Sequence, residues 1–338
     1  MAKRYRDLIH RYYKDLFYLK HVVGLGYGRK EKNGSKTDKE AIVVLVDKKV
    51  PARKLSSKDI VPQMMENYET DVVEIGDIQL LNSRTQRMRP ASPGISIGHY
   101  KISAGTLGAL VVDKDSGQPM ILSNNHVLAN ITNGHDNRSK INDPILQPGT
   151  YDGGKKEEDV IAHLEKFIPV YRRGDKPTCQ VAIAFERIVN SFLHILRPDY
   201  NLKLYKENRG NLVDCALAKP VNNSQVSNEI MGIGKVKGVV DPEVGMVVKK
   251  SGRTSGITKS KIKLTSTTIQ VRMSPSEVAV FHDQFVTEPM SKPGDSGSLV
   301  VNEDNAAVGL LFAGSEKATV CNWIKYVLDA LEVKFRGE

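Results

Sequence analysis

Three short stretches of the sequence carry residue types suited to acyl-transfer chemistry. In Lys292-Pro-Gly-Asp-Ser-Gly-Ser-Leu-Val300 a serine, Ser296, stands between Asp295 and Gly297, with Gly294 just before them. A hydroxyl nucleophile must be exposed on a tight turn with backbone N–H groups beside it, and glycine lets a carbonyl approach that closely. A lone Gly-Asp-Ser-Gly run is also compatible with a plain β-turn. In Ile121-Leu-Ser-Asn-Asn-His126-Val-Leu128 a histidine follows an apolar strand in a polar turn, where an imidazole can be held at a barrel rim. A lone histidine there is more often structural than catalytic. In Asn211-Leu-Val-Asp214-Cys-Ala-Leu-Ala218 one carboxylate sits inside a nearly continuous apolar run. Burying it is costly without a hydrogen-bonding partner, and the N–H of an imidazole is a suitable one.

The three residues occur in the order His126, Asp214, Ser296, which is the chain order of the chymotrypsin-like serine proteases and not of subtilisins or α/β-hydrolases. Through SNNHVL, NLVDCALA and KPGDSGSLV, over about residues 95–330, the sequence resembles the trypsin-like (chymotrypsin-fold) serine peptidases. It is similar to bacterial trypsin-like peptidases and to the plant narrow-leaf trypsin-like proteins, which pair such a domain with an N-terminal extension. The resemblance implies two β-barrels meeting at a cleft, the first holding His126 and Asp214 and the second Ser296. It implies that Ser296 attacks the scissile carbonyl, that His126 takes and returns the proton, and that Asp214 orients the imidazole. The N–H groups of Gly294 and Ser296 would then form the oxyanion hole.

Substrate-binding positions follow from the same resemblance. Met290, six residues before Ser296, falls at the base of the primary pocket, where trypsins carry a carboxylate. This implies a moderately apolar side chain before the scissile bond, although Lys292 near the mouth would favour acidic groups. Phe312, Ala313 and Gly314, within Gly309-Leu-Leu-Phe-Ala-Gly-Ser315, are the expected pocket wall, though an ordinary core strand reads much the same. Lys249-Lys-Ser-Gly-Arg-Thr-Ser-Gly-Ile257 looks like the Gly-rich strand and turn early in the second barrel. The 88 residues from His126 to Asp214 require an insertion between Asn133 and Asn211, and Asp136 and Asp143 are nearer in sequence to His126. No Ile-Val-Gly-Gly-type start stands near Ile95, so activation by a newly cut amino terminus is not expected.

The elements that must position these residues are visible in the chain's pattern. With 338 residues, 40% apolar and 26% charged, the chain has ordinary globular composition and room for two domains or one elaborated domain. Leu8, Ile9, Tyr12, Tyr13, Leu16 and Leu19 have near-helical spacing and predict an amphipathic helix over Arg4–Leu19 that packs on its own domain. Val22–Gly28, Ala41–Val46 and Asp71–Ile78 read as strands, with a turn at Lys32–Ser35. Residues 1–88 are therefore expected to form a small α+β accessory domain with a linker, Ser83–Pro93, whose arginines are also a possible processing site. Residues 89–338 are expected to form the peptidase domain: a first barrel over about 95–220, a second over about 225–322, and a terminal helix at 322–333 with Ile324, Val327, Leu328 and Leu331 on one stripe. Val181, Phe185, Ile188, Phe192 and Leu196 predict a helix over Cys179–Leu196 that lies on the core. The fold class expected is mainly β, two barrels of the chymotrypsin type with an inserted and a C-terminal helix.

Composition also bounds the partners. The formal charge of +10 comes without an arginine-rich tract or RNA-binding signature, so no specific nucleic acid is expected. No run approaches a membrane span. Cys179, Cys215 and Cys321 are an odd number without CxxC spacing, which points to reduced thiols in the cytoplasm. No HExxH, Walker or GxGxxG pattern appears, Gly24-Leu-Gly-Tyr-Gly28 lacking that spacing, so neither metal nor cofactor is expected. Two functions remain: a serine endopeptidase acting on protein or peptide, or a slow or gated peptidase-fold scaffold working through its N-terminal domain, which is also the place expected for homo-oligomer formation.

Overall fold

Tyr5, Leu8 and Leu16 recur on one side of helix α1 (Ala2–Phe17) and are buried, with Tyr12 half-buried among them, while the charged residues between them face solvent. A helix patterned this way needs a sheet to cover its stripe. In this computed structural model, which describes residues 2–32, 35–76, 84–175, 177, 179–205 and 210–335, the chain forms two compact units, residues 1–82 and 83–338.

The first unit supplies that sheet. Strands Val22–Lys32, Ser35–Val46 and Tyr68–Glu74 and the two-residue Met64–Met65 lie in the order first, second, Tyr68–Glu74, Met64–Met65. Val44 faces Leu25 on one neighbour and Val72 on the other, the second pairing being parallel. Leu8 and Leu16 pack with Ile42 and Met65, and each buried leucine of this kind contributes about 1.5–3 kcal/mol. The expected helix and three strands are present, the third ending at Glu74 so that Ile75 and Gly76 fall beyond it; Asp77 and Ile78 lie outside the described residues, as do Asn33 and Gly34 of the expected turn.

The second unit is mainly β, as the resemblance implies. Eight strands form one curled sheet whose centre is Ala109–Asp113, Pro119–Ser123, Ala216–Pro220 and Val160–Phe167. Six more close into a barrel: Val247–Gly252, Gly256–Ser274, Glu277–Thr287, Thr319–Trp323, Ala307–Gly314 and Leu299–Asn302. Phe285, Val300 and Leu311 fill the barrel interior. The pair Gly256–Ser274 and Glu277–Thr287 is a long hairpin whose Thr- and Ser-rich stretch, with half-exposed faces, hid its full length from a hydrophobicity reading.

Helix α2 (Asn125–Leu128) is a single turn after the strand Pro119–Ser123. Helix α4 (Ile324–Leu331) buries Ile324, Val327, Leu328 and Leu331, and the chain then adds a strand, Val333–Phe335, to the curled sheet beside Val111–Asp113. The terminal helix therefore continues into a strand that joins the first sheet.

Two expectations change. Helix α3 (Gln180–Leu196) forms where its periodicity predicts, but no residue of it is buried, so it does not lie on the core. Its apolar stripe faces outward, because its other side is taken by the segment that returns from it. The arginine-rich stretch from Arg84 is not a free linker: Arg84 Nη1 donates to the Gly94 carbonyl and to Ser251 Oγ, and Arg87 pairs with Asp159 at 3.1 Å. Ser83 lies outside the described residues.

Phe285, fully buried in the barrel, lies against Gly309, at which an added methyl would sit 2.3 Å from its ring. Phe285→Ala is expected to lower unfolding stability by about 3–5 kcal/mol, read from urea melts. A loss under 1 kcal/mol would show that the barrel does not pack around this ring.

Candidate active site

The polar run Ser123-Asn124-Asn125-His126 ends a buried strand and turns into α2, and each asparagine secures the turn differently. Asn124 Nδ2 donates to the Asp214 carbonyl at 2.8 Å, while Asn125 Nδ2 donates to the carbonyls of Thr132 and Ile168 at 3.0 and 2.7 Å. The turn thus holds His126 at the edge of a cleft, its side chain one-fifth exposed.

Asp214 is wholly buried just before the strand Ala216–Pro220. Its Oδ2 lies 2.6 Å from His126 Nδ1, and its Oδ1 accepts the His126 backbone N–H at 3.2 Å. The Asp214 N–H donates to Asn322 Oδ1 at 3.0 Å, Asn322 Nδ2 donates to Gln284 Oε1 at 2.6 Å, and Gln284 Nε2 donates to the Leu212 carbonyl. All three of these side chains are buried. The nearer acids are engaged elsewhere: Asp136 with Arg172 at 2.7 Å and Asp143 with His99 Nε2 at 3.0 Å.

Ser296 stands on a turn whose backbone only glycine adopts easily. Gly294 and Gly297 have φ of +98° and +93°, and a Cβ on Gly297 would fall 2.1 Å from Ser123 Oγ. Thr106 clamps the turn from the curled sheet, its N–H donating to the Ser296 carbonyl at 2.7 Å and its Oγ1 to the Gly294 carbonyl at 2.9 Å. Among the described residues the N–H groups of Gly294 and Ser296 have no acceptor. Ser296 Oγ donates to the Phe312 carbonyl at 3.3 Å. Among the described residues it has no hydrogen bond to His126, although both side chains border the same cleft.

The intervening Asp295 is also wholly buried, and it faces Lys250, itself without exposed surface. Lys250 Nζ is 3.2 Å from Asp295 Oδ2 and also reaches the Gly256 carbonyl and Ser255 Oγ. The N–H groups of Thr254, Ser255 and Lys292 complete the shell of the carboxylate at 2.8–3.0 Å. Burial alone would raise the Asp295 carboxyl, but Lys250, the Ser255 hydroxyl and these amides hold it below the ordinary carboxylate value. Burial also pushes the Lys250 ammonium below the usual lysine value, against the pull of Asp295.

Two depressions flank Ser296. One, of about 830 Å³, is bordered by Met290, Lys292, Ser296, Ala313 and Gly314, together with Ser291, Thr258 and Glu316. Ser291 Oγ and Thr319 Oγ1 lie 2.8 Å apart, and Thr319 Oγ1 accepts the Met290 N–H. The other, of about 460 Å³, contains His126, Phe312, Ala313 and Gly314 and is walled by Ile269–Met273 of the long hairpin and by Ile131. Ile131 has φ +59°, a left-handed backbone that costs a β-branched residue of order 1–3 kcal/mol.

The structure therefore brings His126 and Asp214 into direct contact, and places Met290, Lys292, Ala313 and Gly314 around one depression beside Ser296 and Phe312 around the other. Sequence reasoning missed Asn124, Lys250, Gln284 and Asn322. The available signal was a polar residue in each case within a strand or just beyond one. Among the described residues no cluster of His, Cys, Asp or Glu is arranged to hold a metal ion.

Comparison with known proteins gives similarity of fold. No family model and no curated protein matches the sequence. Solved structures do: Nocardiopsis protease, at 16% identity and a TM-score of 0.46, covering 72% of this chain and 98% of that one; Thermobifida fusca protease A, at 12% and 0.44, covering 72% and 96%; and Cellulomonas bogoriensis chymotrypsin, at 14% and 0.43, covering 73% and 98%.

Removing one partner of the buried pair tests its weight. Lys250→Met is expected to cost about 3–5 kcal/mol at neutral pH, by leaving a buried carboxylate without its cation. A lowered folded value means that Asp295 stabilises the fold fully above its unfolded value of about 3.9, and that this contribution is lost as pH falls through the folded one. The difference between parent and variant should narrow in urea melts as falling pH protonates the carboxylate that the variant leaves without its cation. A difference independent of pH would contradict the assignment.

Proposed function

We propose that the chain is a serine endopeptidase that hydrolyses protein or peptide substrates through an acyl-enzyme. The observation that carries this reading is the 2.6 Å contact between His126 Nδ1 and the buried Asp214, at the rim of the cleft on which Ser296 opens. Asp214 fixes the tautomer that carries its proton on Nδ1 and leaves Nε2 free as a base. Ser296 Oγ turns from the Phe312 carbonyl, gives its proton to Nε2 and bonds to the scissile carbonyl carbon. The oxygen that becomes negative meets the N–H groups of Gly294 and Ser296. His126 returns the proton to the leaving amine, the C–N bond breaks, and water repeats the sequence on the ester to release the acid and restore Ser296.

The depression beside Ser296, with Met290 at its base and Ala313 and Gly314 as wall, receives the side chain before the scissile bond. Among the described lining residues the charged ones are Lys292 and Glu316, of opposite sign, so an uncharged side chain fits better than arginine or lysine. The three cysteines are unpaired, which supports a reducing, cytoplasmic setting. Among the described residues no helix is long and apolar enough to cross a membrane.

One observation favours the alternative of a gated or slow peptidase-fold scaffold: Ser296 Oγ is bonded to a carbonyl and not to its base. A fluorophosphonate probe separates the two readings. Stoichiometric labelling that is lost in Ser296→Ala, with kcat reduced on the order of 10³–10⁴-fold in a folded Asp214→Asn, is the expected result. A folded parent that never labels, with no peptide hydrolysis at any pH, would leave the scaffold reading.

A further inference from the structure

Helix α3 belongs to the insertion between His126 and Asp214, and one of its sides is occupied. Asn190 exchanges hydrogen bonds with the backbone of Leu202, donating to its carbonyl at 2.9 Å and accepting its N–H at 2.7 Å, and Glu186 accepts the Leu204 N–H at 3.0 Å. The opposite side is open: Val181, Phe185, Ile188, Phe192 and Ile195 are 76, 54, 58, 65 and 80% exposed, and Leu196 beside them 73%. Val181, Phe185, Ile188, Phe192 and Ile195 are spaced four, three, four and three residues apart, the spacing of a coiled-coil seam, with Leu196 at its edge.

We propose that this seam is a self-association surface whose occupant is the same helix of a second copy, lying antiparallel. The pattern is self-complementary. Phe185 stands five residues before Asn190 and Ile195 five after, while Ile188 stands two before and Phe192 two after. An antiparallel pair with a twofold axis at Asn190 therefore sets a phenylalanine against an isoleucine in every such layer. The positions flanking the seam, Ala182, Ala184, Val189 and Ser191, carry no charge, so two helices meet without stripping water from an ion.

The exposed area suits such a pair. Each of the six apolar residues has more than half of its surface open, surface that a second helix takes from water. A lipid surface fits less well, because the only charged side chains of α3, Glu186 and Arg187, cancel, and the helix lacks the cationic face with which amphipathic helices hold anionic membranes.

Sedimentation velocity of the full chain over about 1–100 µM tests this. The expected result is a monomer–dimer equilibrium whose dissociation constant rises about a hundredfold or more in Phe185→Glu/Phe192→Glu, with circular dichroism and phosphonate reactivity as in the parent. In a Cys179→Ser background, Ile188→Cys/Phe192→Cys should form a disulfide between copies, since these positions face each other in the antiparallel pair. A parent that stays monomeric throughout, a dimer indifferent to the two glutamates, or binding to phosphatidylserine vesicles without self-association would each overturn the proposal.

Discussion

A carboxylate shut away from water must be met by donors on every side, and Asp214 is the residue around which this fold closes. Its oxygens take both the ring and the backbone N–H of His126, while its own peptide group is held by Asn124 on one side and Asn322 on the other. Asn124 and His126 follow a strand of the curled sheet, whereas Asn322 and the Gln284 behind it belong to the closed barrel. Withdrawal of His126 leaves the buried charge unsatisfied, a penalty far larger than one ordinary hydrogen bond contributes, and withdrawal of Asn322 orphans the buried Asp214 N–H. The histidine is oriented as a consequence of satisfying the acid.

The turn bearing Ser296 is built on the same logic with a second buried acid. Asp295 draws Lys250, Ser255 and three backbone N–H groups around itself. With Thr106 holding the carbonyls on either side of it, the peptide plane before Ser296 has little freedom. Gly294 and Gly297 are the positions where that constraint demands a left-handed backbone with no room for a side chain. In the proposed reaction this rigidity limits the reorganisation needed around Ser296 as charge develops.

Much of this was legible in the sequence, for physical reasons that vary by residue. Ser296, His126 and Asp214 each sit in a short contiguous motif whose neighbours do the local work, so motif and chemistry are read together. Lys250, Asn322 and Gln284 act through partners 45, 108 and 72 residues away, and a polar residue inside a strand does not name its partner. Periodicity gave the existence and the face of α3 but not its depth, since an apolar stripe looks the same whether a core or another molecule covers it. The arginines from Arg84 onward had linker composition, yet their acceptors lie far along the chain, Ser251 and Asp159 among them.

The central claim is that these dispersed groups form one acyl-transfer site, and a crystal structure of the chain after reaction with a peptidyl phosphonate tests it most directly. The account predicts a bond from Ser296 Oγ to phosphorus, a phosphoryl oxygen between the N–H groups of Gly294 and Ser296, and His126 still paired with Asp214. Phosphorus bonded to another residue, or His126 parted from Asp214 in the adduct, would contradict it.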